Sequence, residues 1–285
     1  MSTIGQRLDE TTRRFERAGI PEPRVDAEWL MAHVTGLKRL MLVMEHRREL
    51  SSPQAENFER LVRIRETRVP LQHLVGSVSF RGFEIEVTGD ALIPRPETEI
   101  LAEVALGLLP RDVGSRAPCV LDLGTGTGCL PVALAIAVSE LQVVAVDISR
   151  KALDLARRNI ERHGLSDRVE LIESDGFENL GGRELFDVIV SNPPYIPAEE
   201  IPDLQIEVKD FDPLLALDGG MDGLDFYRRI ATEGRNYLRS GGKVCLEFGD
   251  GQLSDIREIF AGAGWKLLGA ENDLSGEPRI VSFER

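Results

Sequence analysis

The chain has 285 residues, 42% hydrophobic and 29% charged, a balance that supports a sizeable buried core, excludes a disordered chain and, at roughly 150 residues per domain, predicts two domains. Its formal net charge of -14 is unevenly spread: residues 1–75 hold 13 Arg or Lys against 11 Asp or Glu, whereas the remaining 210 hold 21 against 37, a balance of -16. So acidic a portion repels a phosphate backbone, which argues against nucleic acid as the main partner. Neither a signal-peptide core nor an apolar run of about 18 residues is visible, so no membrane contact and a cytoplasmic location are expected.

The predicted elements begin with helices. Ile4, Leu8 and Phe15 recur at helical spacing until Gly19-Ile20-Pro21 supplies a stop. A second helix is expected over Val25–Val34 with Trp29, Leu30 and Met31 inward, closed by Gly36, and a third from Ser51 and Pro53 with Phe58, Leu61 and Ile64 as its stripe, ended by Pro70. Residues 1–75 therefore read as a helical domain, and the period-two alternation of Phe83, Ile85 and Val87 against Glu84 and Glu86 makes 76–92 a strand or hairpin linker. The proline-rich turn Ala91–Glu99 opens the third segment, 93–285, and leads into a helix over Thr98–Leu109.

From Cys119 strands and helices alternate. CVLDL (119–123), LQVVAVD (141–147), VELIE (169–173), FDVIVSN (186–192) and KVCLEFG (243–249) read as strands. Helices are expected after Cys129, after a Ser149 cap with Leu153, Ala156 and Ile160 on one face, and over 223–239 and 252–262; Trp265–Leu268 and Arg279–Phe283 add two more strands. Such alternation predicts an α/β fold with a doubly wound, mostly parallel sheet. Cys119, Cys129 and Cys245 lie in apolar runs without C-x-x-C spacing, and the four histidines are scattered, so buried thiols and no metal site are expected.

Two motifs carry chemistry. Asp122-Leu123-Gly124-Thr125-Gly126-Thr127-Gly128 follows a strand and opens a helix, where glycines let the backbone turn sharply and approach a ligand at the carboxyl end of the sheet. The spacing is G-x-G-x-G rather than the G-x-G-x-x-G that seats a pyrophosphate, and Asp122 adds negative charge, so a cationic cofactor is favoured. Asp147 ends the next strand, where a carboxylate can accept both hydroxyls of a ribose. Asp175, after the third strand, is placed to meet an adenine amino group, with Phe177 against the ring face.

The second motif is Asn192-Pro193-Pro194-Tyr195, after the fourth of these strands. Two prolines fix φ near -65°, supply no N–H and hold Asn192 extended, so the loop is a rigid row of acceptors. Asn192 Oδ1 and the Pro193 carbonyl can take the two hydrogens of an NH2 group while the Tyr195 ring walls a planar substrate. That is what an amide nitrogen requires. Its lone pair is delocalised across a bond that resists rotation by about 18–20 kcal/mol, and fixed acceptors can align it with a methyl donor and stabilise the charge that grows on it.

These residues resemble the glutamine N5-methyltransferases of class I peptide chain release factors, the PrmC/HemK type. DAEWLMAHVTG (26–36), PLQHLVG (70–76), IPRPETE (93–99), DLGTGTG (122–128), AVD (145–147), SNPPY (191–195) and DLSGEPR (273–279) match in order and approximate spacing. The NPPY loop is shared with adenine methyltransferases; PRPETE before it is much more specific. The resemblance implies a seven-stranded class I methyltransferase sheet, S-adenosyl-L-methionine as cofactor and the glutamine of the release factor Gly-Gly-Gln loop as substrate, with the helical domain and hairpin holding the release factor. It implies cofactor contacts from Gly124, Thr125, Gly126, Thr127, Gly128, Asp147 and Asn192, and glutamine contacts from Asn192, Pro193, Pro194 and Tyr195, of which Asn192, Pro193 and Tyr195 are the expected catalytic set. Where some members carry a tryptophan after the aspartate of the third strand this chain has Gly176; Asp175, Gly176 and Phe177 complete the expected cofactor set, with the residue that covers the adenine, Gly176 or Phe177, left open. DLSGEPR lacks the Asp or Asn usual before its final Arg. The rival readings are methylation of a glutamine in ribosomal protein L3, N6-adenine DNA methylation, which the -16 balance opposes, and a binding module without activity.

Overall fold

In the computed structural model, which describes residues 2–110, 116–181 and 185–285, the chain forms two compact units. One comprises Met1–Ser77 with Gln205–Phe211, the other Val78–Leu204 with Asp212–Arg285.

The first unit is built on α1 (Ile4–Arg17), α2 (Pro23–Thr35), α3 (Ser52–Glu66) and the short α4 (Leu71–Val75). Capping boxes open α1 and α3: Thr3 and Ser51 each accept from the N–H three residues on, and Gln6 and Gln54 reach back to the cap. These reciprocal bonds satisfy N–H groups that a helix start leaves orphaned. Gly36 and Gly76 close α2 and α4 in the left-handed conformation. Ile4, Leu8, Phe15, Leu30, Met31, Phe58 and Leu61 meet in one buried cluster, as their spacing predicts.

Two expectations for these helices are corrected. Trp29 is 45% exposed rather than inward, and the Arg39 guanidinium lies over its ring at 5.5 Å from the centroid, which gives an amphipathic side chain a charged cover instead of a core. Val62, not Ile64, joins Phe58 and Leu61 in the core. A buried network crosses the unit: Arg65 donates to Asp26 at 2.7 Å and to Glu207 at 2.9 Å, and Arg68 donates to Glu207 through two nitrogens. Glu207 lies in the one-turn helix Ile206–Lys209, far along the chain from its partners.

The second unit starts with a hairpin of β1 (Ser77–Phe80) and β2 (Phe83–Glu86), then α5 (Pro96–Leu108), β3 (Cys119–Leu123), α6 (Cys129–Ala137), β4 (Gln142–Asp147), α7 (Arg150–Arg162), β5 (Val169–Glu173) and β6 (Phe186–Ser191). Beyond the one-turn α8 (Ile206–Lys209), which belongs to the first unit, come α9 (Asp225–Glu233), β7 (Leu238–Glu247), α10 (Leu253–Gly262), β8 (Lys266–Asn272) and β9 (Pro278–Glu284). Seven strands form one sheet in the order β5-β4-β3-β6-β7-β9-β8, parallel from β5 to β7 and antiparallel at β9 and β8. Val120, Val188, Val190 and Cys245 turn to one face with α5, α6 and α7; Leu121, Leu123, Ile189, Val244 and Leu246 turn to the other with α9 and α10. Strands covered on both faces read as unbroken apolar runs, which is why their positions were visible.

Several boundaries differ from expectation. The helix expected over 223–239 ends as α9 at Glu233 and tightens into a 3-10 turn over Gly234–Tyr237, because Leu238 is already buried and paired with Phe186 in β7. β8 continues to Asn272; it is an edge strand with no buried side chain, held by its ladder to β9 rather than by apolar contact. α5 begins at Pro96, two residues before Thr98, since proline is at home in the first turn. The hairpin is fastened within the sheet unit: Asn159 of α7 accepts from Glu86 N–H at 2.7 Å and donates to the carbonyls of Glu86 and Thr127 at 3.0 and 2.9 Å. Cys129 and Cys245 are buried unpaired thiols, both pushed up by burial, Cys129 to about 12. Among the described residues no helix is long and apolar enough to cross a membrane, and no cluster of three His, Cys, Asp or Glu could hold a metal ion.

Candidate functional site

The carboxyl ends of β3, β4, β5 and β6 point the same way, and the loops that follow them surround a cavity of about 290 Å3. An open parallel sheet keeps its ligand crevice there, where strand order reverses.

After β3 the chain turns through Gly124, Gly126 and Gly128, with φ of 75°, 54° and 78° that only glycine adopts without strain. The turn is pinned from neighbouring strands. Gly124 and Thr125 N–H both donate to the Val146 carbonyl at 2.9 Å, and Ser191 Oγ donates to the Leu123 carbonyl at 2.7 Å. Gly124, Thr125, Gly126 and Thr127 line the cavity, whereas Gly128 is outside its lining. Gly128 answers a different need: a Cβ there would come within 3.0 Å of Ala156 Cβ and 3.1 Å of its Cα, so α6 and α7 could not approach as they do.

Asp147, at the end of β4, also lines the cavity; its Oδ2 accepts from Gly126 N–H at 2.9 Å and its Oδ1 from Ser149 N–H at 2.8 Å. Burial raises its pKa, and the backbone N–H groups oppose that rise. Asp122 lies wholly buried before the glycine loop; burial pushes it up to about 7, and the Thr125 side chain opposes the rise.

After β5, Asp175, Gly176 and Phe177 all line the cavity. Asp175 is paired with Arg229, whose guanidinium also donates to the Asp175 carbonyl at 2.8 Å. A Cβ on Gly176 would sit 2.8 Å from Arg229 Cζ, so the guanidinium occupies the space of the missing side chain. The Phe177 ring is buried and stacked on Tyr237 with centroids 4.8 Å apart.

After β6, Asn192, Pro193 and Pro194 line the cavity. Asn192 Nδ2 donates to Thr98 Oγ1 at 3.2 Å, and Thr98 Oγ1 donates to Glu247 Oε2 at 2.8 Å. Tyr195 is outside the lining: its carbonyl accepts from Gln252 Nε2 at 2.8 Å, a Cβ on Gly249 would meet its ring at 2.9 Å, and burial pushes its phenol up to about 12. The structure thus gathers the predicted glycine-loop, Asp147, Asp175–Phe177 and Asn192–Pro194 positions around one cavity, with Gly128 and Tyr195 behind its wall.

Sequence reasoning missed Thr98, Glu247 and Arg229. A visible signal existed for Glu247, a lone acid inside the buried run KVCLEFG; burial leaves a carboxylate there only with a partner. Thr98 stands inside the PRPETE segment, which the sequence singles out without giving its threonine a role, and Arg229 carried no such mark.

The chain matches the family model described as PrmC N-terminal domain over residues 6–76 and the one described as methyltransferase small domain over residues 102–206. It is 41% identical to a release factor glutamine methyltransferase of Geobacter sulfurreducens, over 98% of this chain and 95% of that protein. With a release factor glutamine methyltransferase of Agrobacterium fabrum it shares 37% identity over 100% of its own length and 98% of the other. The crystal structure of a methyltransferase from Pyrococcus furiosus, 21% identical, superposes with a TM-score of 0.53 over 82% of this chain and 98% of that one, a likeness of fold.

Proposed function

The chain belongs to the release factor glutamine methyltransferase family, and from that premise we propose that it transfers the methyl group of S-adenosyl-L-methionine to the side-chain amide N5 of the Gly-Gly-Gln glutamine in class I release factors. The reading places it in the cytoplasm, with the release factor as protein partner and neither nucleic acid nor membrane as a substrate. The observation that carries it is the orientation of Asn192: its Nδ2 is spent on Thr98 at 3.2 Å, which leaves Oδ1 as the acceptor for an incoming NH2.

The residues fit the cofactor. Left-handed glycines at 124 and 126 and the carboxylate of Asp147 make an uncrowded backbone cradle beside an acid, suited to a ribose, and buried Asp122, pushed up to about 7, gives up its proton more readily when a cation lies beside it. Gly124–Thr127, Asp147, Asp175–Phe177 and Asn192 would hold it. When bound, it supplies an electrophilic methyl group on a sulfonium sulfur. Asn192 Oδ1 and the Pro193 carbonyl hold the glutamine NH2 by both hydrogens and fix the rotation of its amide. They also stabilise the positive charge that nitrogen gains as its lone pair is drawn out of conjugation. No side chain is required as a base, because an N-protonated amide surrenders its proton to water.

A protein substrate also suits the helical unit, whose Leu40, Val43 and Met44 are 85%, 74% and 75% exposed and adjoin Arg39. Exposed apolar clusters of this kind mark protein contacts. The test is methyl transfer from labelled donor to purified release factor, to a release factor with Gln→Ala in Gly-Gly-Gln, to ribosomal protein L3 and to duplex DNA. Label on the wild-type factor alone supports the reading; label on L3 or DNA in its place overturns it.

A further inference from the structure

The acceptor role of Asn192, on which this inference rests, requires that its side-chain amide face one way. An asparagine amide has two nearly isosteric ends, and reversing it would offer a substrate NH2 two donors in place of an acceptor. Something must break that symmetry. We propose that Thr98 and Glu247 are positioning residues that do so: Glu247, through the single hydroxyl proton of Thr98, fixes which end of the Asn192 amide faces the cavity.

The geometry is a line of three groups, Asn192 Nδ2 to Thr98 Oγ1 at 3.2 Å and Thr98 Oγ1 to Glu247 Oε2 at 2.8 Å. An ionised carboxylate only accepts, so the Thr98 proton goes to Glu247 and the hydroxyl lone pair is left for a donor. Only the Nδ2 end of Asn192 can meet it. In the reversed amide two oxygens would face each other with their one proton already committed. Thr98 lines the cavity but is, like Glu247, buried, at 3% and 2% exposure, so each hydrogen bond of the line is made in a low-dielectric setting that strengthens it.

The line reverses when Glu247 takes a proton. With the proton on Oε2, the oxygen that faces Thr98, the acid donates, Thr98 Oγ1 accepts from it, and the hydroxyl proton turns towards Asn192 and recruits its Oδ1. Burial, opposed by the Thr98 hydrogen bond, pushes Glu247 up to about 7. The groups facing it are Glu97 and Arg95 at the start of α5, Arg279 of β9, Tyr195 of the NPPY loop, Tyr227 of α9 and Cys129 of α6. Both tyrosines and Cys129 are held neutral, since burial lifts each above its ordinary value. Glu97 raises Glu247 further while Arg95 and Arg279 lower it, so the proton on Glu247 is the event that alters the line.

The test compares full-length wild type with Thr98→Val, Thr98→Ser and Glu247→Gln, measured by kcat and KM on purified release factor, cofactor affinity by calorimetry and kcat between pH 5.5 and 8.5. Thr98→Val keeps the volume and removes the hydroxyl. It should lower kcat by roughly tenfold to a hundredfold while KM for the release factor and cofactor affinity stay within about threefold, and Thr98→Ser should recover most of the loss. In wild type kcat should fall as pH drops through about 7. Glu247→Gln does not titrate, and with its Oε1 towards Thr98 it keeps the acceptor, so it should flatten that acid limb even though Asp122 still titrates. A kcat for Thr98→Val within twofold of wild type overturns the inference, as does an unchanged acid limb in Glu247→Gln; should the latter not fold, the threonine pair decides alone. Wild-type failure to label the glutamine would instead refute the functional reading, independently of these ratios.

Discussion

The backbone N–H of Gly126 donates to Asp147 Oδ2 across 2.9 Å, so the acid that ends β4 braces the glycine loop that follows β3. With Oδ1 already accepting from Ser149 at 2.8 Å, each oxygen keeps one lone pair for a ligand hydroxyl. Asp147→Ala should therefore weaken S-adenosylmethionine binding by about 1.5–3 kcal/mol, the range for hydrogen bonds to a charged group. It should also lower the unfolding temperature of the cofactor-free protein, because two N–H groups lose their acceptor. Calorimetric titration with wild-type affinity would remove Asp147 from the cofactor site.

Asn192→Ala should lower kcat by about 10²–10³, the usual loss for one fixed group that stabilises developing charge, with cofactor affinity within about tenfold. Asn192→Asp restores an acceptor towards the cavity but turns a carboxylate to Thr98, where Glu247 already claims the only proton. Its rate should lie between alanine variant and wild type. Single-turnover transfer to the release factor measures both, and wild-type rates in the pair would reduce the NPPY loop to a turn.

Asp122 offers a pH test with a definite sign. Burial moves its pKa from 3.8 to about 7, so the folded state holds this proton more tightly than the unfolded state. The group thus costs stability, the cost growing as pH rises from about 4 and complete above about 7. Asp122→Asn is neutral throughout and should raise the unfolding temperature by a few degrees at pH 8, and by less at pH 5. Equal shifts at both pH values would mean that Asp122 is not charged in the folded protein.

Glu207 has the opposite sign. Burial pushes it up, but the hydrogen bonds from Arg68 and Arg65 outweigh burial and hold it below its ordinary 4.5. Its stabilisation is present above about 4.5 and is lost as pH falls through the lower folded value. Glu207→Gln should cost about 1–3 kcal/mol at pH 7, and the difference from wild type should shrink towards pH 3. Circular dichroism across an acid titration would show this; a constant gap would assign the loss to packing.

How much of this was legible in the sequence follows from what each residue is asked to do. β3, β4 and β6 are covered on both faces and announce themselves as apolar runs, and the left-handed turn after β3 needs glycines that are visible as such. β8 lies at an edge with no buried side chain and leaves only a weak trace. The link between Thr98 and Glu247 spans 149 residues and is written in no local pattern. Arg229 was equally silent, since it reads as one more charge on an exposed helical face until Gly176 opens the space it fills.

The chain passes between its two units three times, at 77/78, 204/205 and 211/212. Neither unit is therefore a single stretch of gene. Transplanting the helical unit from a relative means moving residues 205–211 along with it. A chimera joined only near residue 77 would set a foreign pair of side chains in place of Arg65 and Arg68 against the native Glu207.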